Sequence, residues 1–197
     1  MIRIALTGSI GMGKSTVAKM FERAGIPLFD ADAEVRGLQG PGGALVPVIG
    51  ERFPGAVHDG VLDRAKLREL VLDDPRALKD LEAIVHPAVR DAREAFIAKH
   101  HAAPALLFEI PLLFETGGED EFDKVVVVSA PAEVQRSRVL GRPGMSVDKL
   151  SSILERQLPD AEKRSRADFV IDTGTDLSTT ESQVREIIAC LGLPMDS

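Results

Sequence analysis

The run Ile2-Arg3-Ile4-Ala5-Leu6-Thr7-Gly8-Ser9-Ile10-Gly11-Met12-Gly13-Lys14-Ser15 decides how this chain folds. Its first six residues are mostly apolar and read as a strand. The next eight spell G-x-x-x-x-G-K-S and open onto Val17, Ala18, Met20 and Phe21, which recur at helical spacing until Gly25. A strand feeding a glycine-rich turn and then a helix predicts a phosphate loop. Glycines let the backbone approach an anion, while successive N–H groups and the helix N-terminus point positive partial charge at it. Gly11, Met12 and Gly13 supply the turn, and Lys14 adds a full charge for the β and γ phosphates. Ser15, with Thr16 beside it, offers a hydroxyl to Mg²⁺, an ion that keeps most of its waters and takes few protein ligands. The expectation is a nucleoside triphosphate site with its magnesium.

Downstream, Ile26-Pro27-Leu28-Phe29 reads as a second strand stopping at Asp30-Ala31-Asp32, which in an open parallel sheet falls on the strand edge where ligands bind. Residues 37–60 are rich in Gly and Pro and read as loops and short helices leaving the core. Three helices follow by spacing: Asp63 to Leu72 with Asp63 as N-cap, Pro75 to Val85, and Pro87 to His100, the two prolines suiting first turns. Pro104–Phe108, ending at Glu109, and Lys124–Ser129 are strands apolar enough to be buried on both faces. Ala132 to Leu140 is a helix running into the basic, glycine-containing 138–144, which reads as a mobile flap before a capped helix near 146–158. Asp168–Asp172 supplies a fifth strand and Ser178 to Leu191 a closing helix. The fold class is α/β, a doubly wound five-stranded parallel sheet with a helical insertion and a short lid.

The chain has 197 residues, 44% of them hydrophobic, and a net charge of -7. One sizeable core with insertions is expected. The negative balance argues against a general nucleic-acid binder, and the absence of Trp and Tyr against a single-strand binder. The first strand begins at once, without a charged and apolar leader, and no stretch approaches membrane-spanning length, so a cytoplasmic protein without a membrane partner is expected. The one cysteine, Cys190, reads as core filler on the buried face of the last helix. His58, His100 and His101 have no partner at metal-ligand spacing.

A phosphate loop does not choose a chemistry by itself. A guanine-reading Asn-Lys-x-Asp is missing, and the chain is short for a motor. A small-molecule kinase fits better, because a helical insertion and an Arg-x-x-x-Arg flap give two pockets and a cover for phosphoryl transfer to an alcohol. Within that class a nucleoside monophosphate or shikimate kinase stays open, and outside it a nucleotide-gated regulatory protein.

Six motifs in order sharpen the reading: Leu6 to Thr16; Asp30-Ala31-Asp32; Asp59-Gly60-Val61-Leu62-Asp63-Arg64; His86-Pro87; Pro111-Leu112-Leu113-Phe114-Glu115; and Ala167-Asp168-Phe169-Val170-Ile171-Asp172. On these the chain resembles the dephospho-coenzyme A kinase family from residue 1 to Ile187, with Ser9 where the family often has a second glycine. The resemblance implies transfer of the ATP γ-phosphoryl to the 3′-hydroxyl of dephospho-coenzyme A, the last step of coenzyme A synthesis; the chain itself is expected to be a monomer or weak homo-oligomer. It implies a nucleotide-binding core at 1–31, 102–137 and 163–197, an acceptor-binding insertion at 32–101 and a lid at 138–162. Asp32 matches the proposed general base, with a helix N-cap as the plainer role. Arg64, four residues before Arg68, shares a helix face with it and could grip a pyrophosphate or ribose. His86, held extended ahead of Pro87, lines the acceptor pocket or makes a structural hydrogen bond. Leu112, Leu113 and Glu115 correspond to the acceptor-pocket wall, although Leu113 suits the core equally. Arg138 and Arg142 can neutralise the transferring phosphoryl, Arg142 alternatively packing on adenine, and Glu109 stands where a magnesium-water ligand is needed.

Overall fold

A computed structural model describes residues 1–194. The last three positions of the 163–197 segment lie outside the described residues. In chain order the elements are β1 (Ile2–Thr7), α1 (Lys14–Arg23), β2 (Leu28–Asp30), α2 (Ala31–Leu38), α3 (Leu45–Arg52), β3 (Val57–His58), β4 (Val61–Leu62), α4 (Arg64–Leu72), α5 (Pro75–Lys99), β5 (Ala105–Glu109), β6 (Lys124–Ser129), α6 (Ala132–Leu140), α7 (Val147–Leu154), α8 (Asp160–Ser165), β7 (Phe169–Asp172) and α9 (Leu177–Cys190). They divide into two compact units, Met1–Phe29 with His100–Ser197, and Asp30–Lys99.

The first unit is built on a five-stranded parallel sheet ordered β2-β5-β1-β6-β7. β1 is central, its Ile4 opposite Leu107 of β5 and Lys124 of β6. Alternation along the strands feeds both faces. Ile4 and Leu6 of β1 with Val126 and Val128 of β6 pack against Val17 and Phe21 of α1 and Val184 and Ile188 of α9. Ala5, Val125 and Val127 face the other way, onto Leu113 and Phe114. Phe108 lies between Phe29 and Phe122, with ring centroids 5.9 and 5.4 Å away, separations typical of favourable aromatic pairs.

Cys190 is exposed, which corrects the expectation of a buried thiol. The buried stripe of α9 runs Thr180, Val184, Ile187, Ile188 and is continued by Leu191, while position 190 lies about a quarter-turn away.

The second unit packs around Leu45, Val46, Ile49, Phe53, Leu62, Leu67 and Ala77. Asp63 caps α4, accepting from the Ala65 and Lys66 N–H groups at 2.9 and 3.0 Å. Asp74 does the same for α5, accepting from Arg76 and Ala77. The expected break at Pro87 is absent: α5 runs 25 residues through it, and His86 is helical and exposed rather than extended. Proline forfeits only the bond to the carbonyl four residues back, here that of the exposed Ala83. Meanwhile Leu81, Ile84, Val85 and Ala88 keep the helix docked on its core through the kink-prone position.

Candidate active site

The loop between β1 and α1 has the backbone that its glycines were expected to allow. Gly8, Gly11 and Gly13 have φ of 149°, 79° and 89°. A Cβ on Gly8 would run into the Val128 carbonyl oxygen, so that strand-to-loop turn admits no side chain. Gly13 caps α1 in the left-handed conformation, and the first turn of the helix carries no acidic residue. Among the described residues the N–H groups of Gly11, Gly13 and Ser15 have no acceptor. Three backbone donors and the positive end of a ten-residue helix thus converge on one place, an arrangement suited to an anion. Lys14 Nζ donates to the Gly8 carbonyl at 2.7 Å, holding its charge over the loop. Ser15 Oγ donates to Glu109 Oε1 at 3.1 Å, bringing a hydroxyl and the carboxylate at the end of β5 together. Met12 is buried in the core, so that position serves through its backbone.

Arg138, on the last turn of α6, is held to this loop by Thr173. Its Nη1 donates to Thr173 Oγ1 at 3.0 Å and its Nη2 to the Thr173 carbonyl at 2.6 Å. The threonine hydroxyl donates in turn to the Met12 carbonyl at 2.7 Å. Thr173 is 6% exposed and follows directly on β7. Arg142, beyond the end of α6, is exposed and its guanidinium takes no partner among the described residues.

The wall segment divides. Leu113 is 1% exposed and packs in the core, whereas Leu112 is 43% exposed. Glu115, expected on an acceptor wall, is engaged internally: Oε1 accepts from the Leu158 N–H at 2.9 Å and pairs with Lys163 Nζ at 2.7 Å, the lysine side chain being 0% exposed. Burial works to raise the Glu115 carboxyl, but the Lys163 ammonium and the Leu158 N–H outweigh it and leave the group below its ordinary value.

In the unit Asp30–Lys99 the plainer role expected for Asp32 falls to its neighbour. Asp30 caps α2, accepting from the Ala33 N–H at 2.9 Å, and Asp32 in the first turn is exposed without a partner among the described residues. Arg64 Nη2 donates to the Arg36 carbonyl at 2.9 Å, joining the start of α4 to the helix that carries Asp32. Arg36 reaches back to Asp30 at 3.6 Å. Arg68 and His86 are exposed.

Sequence reasoning passed over three residues at the phosphate loop, Thr173, Gln135 and Gln157, and over Arg36 on the helix that carries Asp32. Arg36 had a signal, standing four residues after Asp32 on the same helix face. The other three act through contacts across 35 to 161 residues of sequence that no local pattern encodes.

Residues 2–179 match the family model for dephospho-CoA kinase. A dephospho-CoA kinase of Novosphingobium aromaticivorans is 56% identical over 188 residues, covering 95% of this chain and 94% of that protein. One of Mesorhizobium japonicum is 56% identical over 190 residues, covering 95% of each. Among solved structures, a Thermus thermophilus protein superposes with a TM-score of 0.84 at 37% identity, covering 96% of both chains. Dephospho-CoA kinase from Campylobacter jejuni shares the fold with a TM-score of 0.68 at 24% identity and the same 96% coverage.

Proposed function

The chain belongs to the dephospho-CoA kinase family, and from that premise we propose how its own residues move the γ-phosphoryl of ATP to the 3′-hydroxyl of dephospho-coenzyme A. The reaction is that of a phosphotransferase acting on an alcohol, at the last step of coenzyme A synthesis. The observation that carries the proposal is the set of Gly11, Gly13 and Ser15 N–H groups beside Lys14 that have no acceptor among the described residues.

In this reading these N–H groups and Lys14 hold the β and γ phosphates, with Met12 and Thr16 completing the loop, and Arg138 neutralises charge that develops on the transferring group. Phosphoryl transfer passes through a loose transition state, so fixed positive charge at its oxygens matters more than covalent help. Ser15 and Glu109 present a hard-oxygen pair that fits Mg²⁺, which would draw charge from the phosphates when bound. Asp32 accepts the proton of the 3′-hydroxyl as the oxygen attacks phosphorus. Exposed and without a competing partner among the described residues, it suits a group that must meet a substrate. We assign acceptor binding to residues 32–101, with Arg64, Arg36 and Arg68 receiving the acceptor's phosphates and His86 its neighbouring polar groups; Leu112, not the buried Leu113 or the internally paired Glu115, supplies apolar surface. Residues 138–162 act as the lid, carrying Arg142 between Gly141 and Gly144 to the adenine. The remaining segments, 1–31, 102–137 and 163–197, form the nucleotide-binding core, and the enzyme works in the cytoplasm.

A coupled ADP-release assay over a panel of alcohols tests the whole. Turnover with dephospho-coenzyme A and silence with nucleoside monophosphates and shikimate is the expected pattern. Asp32→Asn should lower kcat on the order of a hundredfold while ATP affinity survives; near-normal turnover would remove Asp32 from the role of base.

A further inference from the structure

The two peptide groups that meet at Ile10 are each held by a neutral amide. The Ile10 N–H donates to Gln157 Oε1 at 3.1 Å, and its carbonyl accepts from Gln135 Nε2 at 2.8 Å. Gln135 is buried on α6. Gln157 lies in the turn after α7, and the residue next to it is anchored: the Leu158 N–H donates to Glu115, which the buried Lys163 pairs. A chain of contacts thus runs from the buried ion pair, through one peptide bond, to the third residue of the phosphate loop.

The N–H groups of Ile10 and Met12 are occupied from within the protein, by Gln157 and by the Ser9 carbonyl, whereas those of Gly11, Gly13 and Ser15 have no acceptor among the described residues. We infer that Gln157, seconded by Gln135, is a positioning residue for ATP: by fixing the backbone on either side of Ile10, the pair aims the next open N–H groups at the polyphosphate. An amide suits this task. It accepts one hydrogen bond without adding charge, whereas a carboxylate at the same place would accept the same bond and set a negative charge beside the phosphates. A cation could not accept at all. The anchor matters equally, since a long side chain in an unsupported turn would lose rotamer entropy each time it held the loop. The inference rests on residues 8–15 being the polyphosphate site.

Two variants and one control test it in the full-length enzyme, with the KM for ATP and for dephospho-coenzyme A measured side by side. Gln157→Met keeps the length and removes the acceptor; the KM for ATP should rise about tenfold, the equivalent of about 1.4 kcal/mol, with the KM for dephospho-coenzyme A within about twofold of wild type. Gln157→Glu restores the acceptor but adds charge, so its KM for ATP should rise further and worsen as ionic strength falls. An ATP KM within about twofold of wild type in both variants, or equal rises in both KM values, overturns the inference. Should Gln157→Met fail to fold, the Glu variant decides alone by the same criterion. The control is Lys14→Ala: if it binds ATP like wild type, the polyphosphate site itself is misplaced, whereas loss of ATP there alongside unchanged Gln157 variants refutes only the positioning role.

Discussion

A single hydroxyl, on Thr173, joins three parts of the molecule: the phosphate loop at Met12, the end of β6 at Ser129, and the guanidinium of Arg138. Thr173→Val keeps the shape and deletes these bonds, leaving the buried Met12 carbonyl without that donor. We expect a loss of about 1–3 kcal/mol by thermal or denaturant melting. Displacement of Arg138 should lower kcat by about tenfold to a hundredfold, with Thr173→Ser recovering most of both effects. At this scale the sequence revealed what chemistry demands in fixed order and little else. Gly8, Gly13, Lys14 and Ser15 stand out because a bound anion dictates their types and spacing. Thr173, Gln135 and Gln157 do not, because a threonine or glutamine acquires its role only when a distant loop arrives beside it. Glu115 shows the converse: a motif position was visible, but its partner Lys163, 48 residues on, decided what the carboxylate does.

Among the elements, α5 is where local signals and tertiary packing disagree. Pro87 suits a first helical turn, yet the apolar face on either side of it remains in phase, and burial of one continuous stripe outweighs one lost hydrogen bond. Pro87→Ala restores that bond at some cost in unfolded-chain entropy, so the protein should gain about 1–2 kcal/mol by denaturant titration. A drop in stability would mean that the ring packs against something essential. The strands and α1 were readable because their periods are unbroken and their ends carry glycine or caps. Cys190 misled for a geometric reason: it is apolar and next to the stripe of α9, and one residue on a helix turns the side chain by 100°.

Among the described residues, Glu115, Asp168 and Asp176 are each more acidic folded than unfolded. Burial opposes ionisation of Glu115 and Asp168, but Lys163 with the Leu158 N–H, and Lys124 with the Val125 N–H, more than offset it; the Ser178 and Thr179 donors hold the α9 cap Asp176 well below its usual value. A carboxylate that binds protons less tightly when folded lends stability above its unfolded value, near 4.5 for Glu and 3.8 for Asp, and loses it as pH falls through the lower folded value. Melting temperature should therefore hold from pH 7 to about 5 and fall on further acidification. Glu115→Gln, which strands the buried Lys163 charge, should destabilise by about 3–5 kcal/mol at pH 7 and flatten the acid limb.

The central place of β1 has a further consequence for synthesis. Ile2 pairs with Ala105 and Thr7 with Val127, so β1 gains its last neighbour only when the chain has been made through Val127. Contacts of residues 30–99 with one another are complete well before that. Translation thus delivers the inserted helices ready to condense while the glycine-rich loop after β1 waits, and the closing of the sheet around β1 comes late in the order of assembly.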